Sequence, residues 1–124
     1  MDHLSKFLNL VNDAKTRIRE VTVEDVKRDQ DSGAHFVLVD TREDSEWAAA
    51  RAQGAIHLGK GIIERDIEKT VPDSGSKIVL YCGGGFRSAL AADALQKMGY
   101  TNVFSLAGGW RAWNGANMPV ETGE

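Results

Sequence analysis

The segment with the clearest chemical character runs from Cys82 to Ser88 and reads Cys-Gly-Gly-Gly-Phe-Arg-Ser. It contains the only cysteine of the sequence, so Cys82 has no partner for an internal disulfide. Three consecutive glycines allow backbone conformations that other residues avoid, and they let successive N–H groups converge on one point. Arg87 adds a guanidinium near the end of the segment. This pattern is typical of a loop that surrounds an anion.

The chemistry expected of such a loop is nucleophilic catalysis by the cysteine. Converging N–H groups and a helix N-terminus favour a thiolate, which lowers the pKa of a cysteine from its free value of about 8.5. A cysteine at a strand end is commonly a small buried hydrophobe, but its combination with the glycines and the arginine favours a reactive site. We therefore predict Cys82 as the catalytic residue. The predicted substrate-binding residues are Gly83, Gly84, Gly85, Phe86, Arg87 and Ser88.

Three other kinds of loop share part of this pattern. The spacing of Gly83, Gly85 and Ser88 approaches the dinucleotide-binding fingerprint, but no acidic residue lies between Gly99 and Gly115, where one would be needed. A phosphate-binding P-loop needs Gly-Lys-Ser/Thr, which is absent from the sequence. Cysteine-dependent phosphatases have a longer loop between cysteine and arginine than the four residues found here. A smaller loop favours a target of the size of one sulfur atom.

The elements that must position this loop are alternating strands and helices. Continuous apolar runs predict buried strands at 36–39, 77–81 and 102–106, and shorter strands are expected at 20–21 and 55–56. Apolar spacing, caps and glycines predict helices over 4–18, from Thr22 to Gly33, from Asp44 or Ser45 to Arg51, over 62–69, from Arg87 to Gly99 and over 110–114. Such alternation predicts a three-layer α/β fold, in which helices flank both faces of a mainly parallel sheet of about five strands.

Length and composition exclude several classes of protein. The 124 residues suffice for one domain, and the formal charge of −3 without a basic cluster argues against a nucleic-acid or membrane surface. One cysteine with three scattered histidines, His3, His35 and His57, does not supply the grouped ligands of a zinc site. No apolar run is long enough to span a bilayer, and no signal-peptide core is visible. A single cysteine and these absences predict a reducing, cytoplasmic compartment.

Four motifs in the same order resemble those of single-domain rhodaneses, which are sulfurtransferases. They are Val39-Asp40-Thr41-Arg42-Glu43, Gly54-Ala55-Ile56-His57-Leu58, Tyr81 to Ser88, and Leu106-Ala107-Gly108-Gly109-Trp110 with Trp113. The resemblance implies a rhodanese-like fold over 20–120, with an N-terminal helical extension at 1–19 and a tail at 121–124. The extension would cover a sheet edge or mediate dimerisation.

This sequence departs from the family at two places. Ala50 to Gln53 replace the Gly-His-Ile-Pro that commonly precedes the second motif, so we expect a different shape there. The active-site loop lacks the polar side chains that relatives often carry between Cys82 and Arg87, so backbone amides and Arg87 are expected to bind the anion. Phe86 would instead favour an apolar thiol or a protein partner.

The resemblance implies a two-step exchange of sulfur without a metal or organic cofactor. The thiolate of Cys82 would attack the outer sulfur of a small anionic donor such as thiosulfate, expel sulfite and become a persulfide. Cyanide in an assay, or a thiol in a cell, would then remove the outer sulfur. Asp40, Arg42 and Glu46 are expected to form a charge network that orders the loops. Gly108-Gly109 is expected to be a turn that brings the last helix to the active-site loop.

Two other functions stay open at this point. The domain could be a persulfide carrier or interaction module with little turnover, which gives sulfur to a partner protein that docks beside Phe86. A cysteine-dependent phosphatase or arsenate reductase is the third hypothesis, and the length of the loop disfavours it. Cys82 and Arg87 together favour the enzyme, because a purely regulatory domain does not need a reactive cysteine.

Overall fold

The computed structural model describes residues 2–123, with side chains from residue 5 onward. The helices are α1 (Asp2–Lys15), α2 (Val23–Asp31), α3 (Asp44–Ala49), α4 (Ile63–Thr70), α5 (Phe86–Lys97) and α6 (Gly109–Gly115). The strands are β1 (Arg19–Val21), β2 (Val37–Asp40), β3 (Ala50–Ala52), β4 (Ile56–His57), β5 (Ile78–Tyr81), β6 (Val103–Leu106) and β7 (Val120–Thr122). Strands and helices alternate along most of the sequence, as predicted.

The central sheet contains five parallel strands in the order β1-β6-β5-β2-β4. In its register, Val39 of β2 pairs with Leu80 of β5 on one side and with Ile56 of β4 on the other. Strand β5 is therefore central, and Cys82 follows it directly. The predicted three-layer α/β fold with a parallel sheet of about five strands is confirmed.

Alternate residues of β5 enter two hydrophobic cores on opposite faces of the sheet. Ile78 and Leu80 belong to a core completed by apolar residues of α4 and α5. Val79 and Tyr81 belong to the other core, with residues of α2 and with Trp113 of α6. Because the side chains of a strand point alternately to its two faces, a strand buried on both faces needs an uninterrupted apolar run. Burial of each large side chain contributes about 1.5–3 kcal/mol to stability.

Local signals explain where several helices begin and end. Thr22 caps α2 through a reciprocal pair of hydrogen bonds with Asp25, which is the predicted capping box. The helix ends before Gly33, whose φ of +75° lies in the left-handed region that favours glycine. Gly99 follows α5 in the same way, with a φ of +102°.

The prediction that a helix runs to Arg51 is wrong. Helix α3 ends at Ala49, because residues 50–52 form β3 and pair in antiparallel register with β7. Alanine has a high helix propensity, but pairing with a distant segment overrides it. The ribbon of β3 and β7 was not predicted, and it extends to Thr122. The domain limits at 19/20 and 120/121 stay a prediction.

Helix α1 packs against α5, with Val11 and Ala14 buried. It ends at Lys15, whereas the sequence predicted a helix up to Ile18.

Within residues 2–123, no helix has both the length and the apolar character needed to cross a membrane.

Candidate active site

Cys82 lies at the carboxyl end of the central strand, where ligands bind in open α/β sheets. Its side chain is buried, and the three following glycines lead directly into α5. Gly85 takes a left-handed conformation, with a φ of +98°, and is the residue that precedes the first turn of α5. The predicted order of strand, cysteine, glycine loop and helix is therefore present.

Hydrogen-bond donors of the loop surround the sulfur of Cys82. The N–H of Gly85 lies 3.1 Å from Sγ, and the N–H and the hydroxyl of Ser88 lie 3.4 and 3.5 Å from it. Burial disfavours the thiolate, but these donors and the N–H of Gly84 outweigh burial, so the pKa of Cys82 lies below its usual value. The loop therefore favours a reactive thiolate.

Behind Ser88 lies a second buried hydroxyl that sequence reasoning missed. Ser105 of β6 places its Oγ 2.8 Å from the Oγ of Ser88, and both side chains are fully buried. When Ser88 donates to the sulfur, its oxygen is free to accept from Ser105. The available signal was a serine inside the otherwise apolar strand 103–106, but its sequence does not indicate which atom it contacts.

The N-terminus of α6 orients the active-site loop from outside. The N–H of Trp110 donates to the carbonyl of Cys82 at 2.6 Å, and the N–H of Arg111 donates to the carbonyl of Gly83 at 3.2 Å. Because C=O and N–H of a trans peptide point in opposite directions, these bonds turn the following N–H groups away from α6. Gly109 has a φ of +51°, and an added Cβ would overlap the carbonyl of Cys82. The predicted Gly108-Gly109 turn is confirmed.

The predicted anion-binding arginine, Arg87, lies across the loop and is partly neutralised. The Nη2 atom of Arg87 lies close to Gly83, since a Cβ added at Gly83 would be 3.5 Å from it. Its Nη1 lies 3.5 Å from a carboxylate oxygen of Glu46 and 3.9 Å from one of Glu43. These carboxylates reduce the positive charge that Arg87 offers to a ligand.

Arg111 is a second cation at the site, and sequence reasoning missed it. Its guanidinium lies over Gly84, since an added Cβ there would be 3.7 Å from Nη1. The residue is exposed, and its side chain has no hydrogen-bond or ion-pair partner among residues 5–123. One feature of the sequence could have indicated Arg111. It lies two residues after Gly109, at the start of a helix that was expected to contact the loop.

The adjacent strand end carries a buried charge network. Arg42 donates to both carboxylate oxygens of Asp40 and to the carbonyl of Ala50, and the hydroxyl of Tyr81 donates to Asp40 at 2.6 Å. Burial and the Asp40 carboxylate raise the pKa of Tyr81, so its hydroxyl stays protonated. Of the predicted charge network of Asp40, Arg42 and Glu46, the structure shows the pair of Asp40 with Arg42. Glu46 instead contacts Arg87 and accepts a hydrogen bond from the backbone at 43.

These elements enclose a cavity of about 410 Å³ that reaches Cys82. Besides the loop, its lining contains the cations Arg42, Arg87 and Arg111 with the carboxylate of Glu46, and the aromatic residues Phe7, Phe86 and Trp110. The sequence predicted the loop residues of this cavity but not Phe7, Trp110 or Arg111, which belong to the first and last helices.

Comparison with known proteins assigns the family. A family model described as the rhodanese-like domain matches residues 22–116. The chain belongs to this family. Its members include sulfurtransferases, and the resemblance inferred from the four motifs is confirmed.

Two relatives of the rhodanese-like domain have names that indicate sulfur chemistry. It is 33% identical over 104 residues to the thiosulfate sulfurtransferase GlpE of Haemophilus influenzae, covering 84% of this chain and 95% of that protein. It is 30% identical over 98 residues to YrkF of Bacillus subtilis, which is named as a sulfur carrier. That match covers 79% of this chain but spans only about half, 52%, of YrkF.

A solved structure similar to this rhodanese-like domain comes from Rhodopseudomonas palustris. Its TM-score is 0.79 at 30% identity, with 93% of each chain covered. That protein is of unknown function and is described as a possible tyrosine phosphatase.

Metal-ligating side chains are not clustered in the part of this rhodanese-like domain that the structure describes. Among those residues, no group of three or more His, Cys, Asp or Glu could hold a metal ion. The polar groups at the cavity are the thiol of Cys82 with the N–H groups around it, three guanidinium groups (Arg42, Arg87 and Arg111) and the carboxylate of Glu46.

Proposed function

We propose that this rhodanese-like domain transfers sulfur from an anionic donor such as thiosulfate to a thiol or cyanide acceptor through a persulfide on Cys82. The observation that carries the proposal is the convergence of the N–H groups of Gly85 and Ser88 on Sγ, at 3.1 and 3.4 Å. Cys82 also lines the cavity, which is where a donor would reach it.

In the first step, the thiolate of Cys82 attacks the outer sulfur of thiosulfate. A bond forms between Sγ and that sulfur, the S–S bond of the donor breaks, and sulfite leaves with the electron pair. The persulfide that stays on the enzyme is anionic. Preorganised N–H donors stabilise such a developing charge without reorganisation, which lowers the barrier.

The arginines that line the cavity suit the sulfonate end of the donor. Arg111 contributes the main attraction, because Arg42 is paired with Asp40 and Arg87 shares its charge with Glu46 and Glu43. A guanidinium binds an oxyanion through charge-assisted hydrogen bonds, which are stronger than neutral ones.

In the second step, an acceptor thiolate or cyanide attacks the outer sulfur of the persulfide. The bond between that sulfur and Sγ breaks, and Cys82 leaves as a thiolate. Its lowered pKa assists this step, because a thiol of lower pKa is a better leaving group.

The test is intact-mass spectrometry of the reduced protein after incubation with thiosulfate, with the Cys82→Ser variant alongside. We expect wild type to gain one sulfur atom that cyanide removes, and the variant to gain none. Serine keeps the shape of the side chain but is a far weaker nucleophile than a thiolate at neutral pH. An unchanged mass of wild type at every thiosulfate concentration, or a gain by the variant, would refute the mechanism.

Persulfide carriage with little turnover is a second candidate, because a named sulfur carrier, YrkF, is among the relatives. Turnover separates the two functions. A sulfurtransferase produces many equivalents of thiocyanate from thiosulfate and cyanide, whereas a carrier stops near one equivalent unless its partner protein is added. Assay of p-nitrophenyl phosphate hydrolysis on the same samples tests the phosphatase hypothesis.

A further inference from the structure

Helix α1 lies before the segment 22–116 that matches the family, yet its position on the domain is well defined. Val11 and Ala14 are buried where α1 packs against α5. Just beyond the helix, Arg17 binds both carboxylate oxygens of Asp93 on α5, each at 2.9 Å. The family match alone does not predict what this helix contributes to the site.

Helix α1 contributes Phe7 to the cavity that contains Cys82. The ring of Phe7 meets that of Phe86 edge to face, with centroids 6.1 Å apart and planes at 69°. The ammonium of Lys15, also on α1, lies 5.5 Å from the centre of the Phe86 ring. Two residues of α1 therefore hold the first side chain of α5 in place. We call Phe7 and Phe86 the aromatic wall.

The aromatic wall keeps much of its apolar surface in contact with water. Phe7 is 37% exposed and Phe86 is 42% exposed, and both line the cavity that contains Cys82. Thiosulfate and cyanide have no apolar group that could cover these rings. An organic acceptor with an aromatic or branched apolar group would remove this surface from water and gain affinity.

We infer that Phe7 of α1, together with Phe86, selects the acceptor in favour of small organic thiols that carry an apolar group next to the sulfur. This inference rests on the proposed function and names the class of its second substrate. The acceptor thiolate attacks the outer sulfur of the Cys82 persulfide, the S–S bond to Sγ breaks, and the product is an organic persulfide. The thiol proton passes to solvent before the attack.

The size of the cavity favours a small molecule over a protein as this acceptor. A volume of about 410 Å³ lies in the range of small-molecule sites, which is about 300–1,000 Å³. The aromatic wall lies inside this concave space beside the reactive sulfur.

The test measures discharge of preformed persulfide enzyme by two thiols of similar acidity, phenylmethanethiol and 2-mercaptoethanol. We expect wild type to react about tenfold faster with phenylmethanethiol, from roughly 50 Å² of apolar contact, and Phe7→Ala to lower this ratio about threefold. Phe7→Leu should retain most of the preference. Leu10→Ala is the matched control, because Leu10 is a more exposed residue of the same helix that does not line the cavity.

Each outcome is decisive and separates this inference from the proposed function. A wild-type protein that forms no persulfide contradicts the proposed function. If the persulfide forms but the two thiols react equally fast, or if Leu10→Ala lowers the ratio as much as Phe7→Ala, the aromatic wall does not select the acceptor. A Phe7→Ala variant that loses the same factor with both thiols and with cyanide would show that Phe7 only supports the loop.

Discussion

Two neighbouring strand ends of the sheet each surround an acidic side chain with groups that favour its anion, and they do so in different ways. At the end of β2, the carboxylate of Asp40 is enclosed by the guanidinium of Arg42 and the hydroxyl of Tyr81. At the end of β5, the sulfur of Cys82 receives hydrogen bonds from the loop and from Ser88. The two ends are adjacent because β2 and β5 pair in parallel.

The difference explains why one end stabilises the fold and the other is suited to chemistry. The charge of Asp40 is neutralised by the buried guanidinium of Arg42, which donates hydrogen bonds to Asp40 and to the carbonyl of Ala50. The sulfur of Cys82 is stabilised by neutral dipoles, which favour the anion without forming an ion pair with it. A thiolate held in this way is still able to attack a substrate that enters the cavity.

The largest effect is expected at the Asp40 end. Asp40→Ala leaves the buried guanidinium of Arg42 without its carboxylate, which destabilises a protein by about 3–5 kcal/mol. Urea unfolding measures this loss of unfolding free energy. Asp31→Ala is the matched control, because its pair with Lys27 is exposed and contributes less than about 1 kcal/mol. Equal losses in the two variants would contradict a structural role of the Asp40 network.

A smaller and purely functional effect is expected at the cation beside Cys82. Arg111→Ala should raise the KM for thiosulfate about tenfold, which corresponds to the free energy of one hydrogen bond to a charged group. The unfolding free energy should change little. Steady-state kinetics at low and high salt measure this effect, and salt should reduce the difference because Arg111 is exposed. Arg28→Ala, at a distant exposed site, serves as the control. An unchanged KM would contradict a role of Arg111 in binding the donor.

The smallest effect is expected from the hydroxyl beside the sulfur. Ser88→Ala removes a donor to the thiolate, so the pKa of Cys82 should rise and the acidic limb of the rate of persulfide formation should move to higher pH. At acidic pH less thiolate is present, so the rate of persulfide formation should fall about two- to tenfold. This factor corresponds to the free energy that one hydrogen bond contributes. Well above both pKa values, wild type and variant should have similar rates.

Pre-steady-state rates of persulfide formation across pH measure this shift. Ser105→Ala should move the limb in the same direction but less, since Ser105 acts through Ser88. Superimposable pH profiles of wild type and Ser88→Ala would show that the backbone N–H groups alone set the pKa.

The parts of the site that sequence analysis predicted are those whose cause is local. A buried strand has an uninterrupted apolar run, a tight loop needs glycines, and the N–H groups of a helix start point back at the residue before it. These three signals are contiguous from Ile78 to Ser88 and predicted how Cys82 is held. The capping box at Thr22 was predicted for the same reason, whereas the Gly108-Gly109 turn was predicted from the resemblance to the family.

The parts that were missed depend on segments that are distant in the sequence. Ser105 and Phe7 come from β6 and α1, and nothing near either residue in the sequence shows that it contributes to the surroundings of Cys82. Arg111 comes from α6, and only its place after the Gly108-Gly109 turn connects it to the loop. The end of α3 was misplaced because β3 exists only through its pairing with β7.

The sequence by itself determined how the end of β5 surrounds Cys82, because an apolar strand, three glycines and a helix start are contiguous there and bring backbone N–H groups to its sulfur. Only the tertiary structure decided which charges are neutralised. All three arginines line the cavity, but Arg42 is paired with Asp40 and Arg87 lies beside Glu46, whereas Arg111 has no ion-pair partner among residues 5–123. Ion pairs form between side chains a few ångströms apart, and that distance is set by how helices and strands pack, not by their order in the sequence.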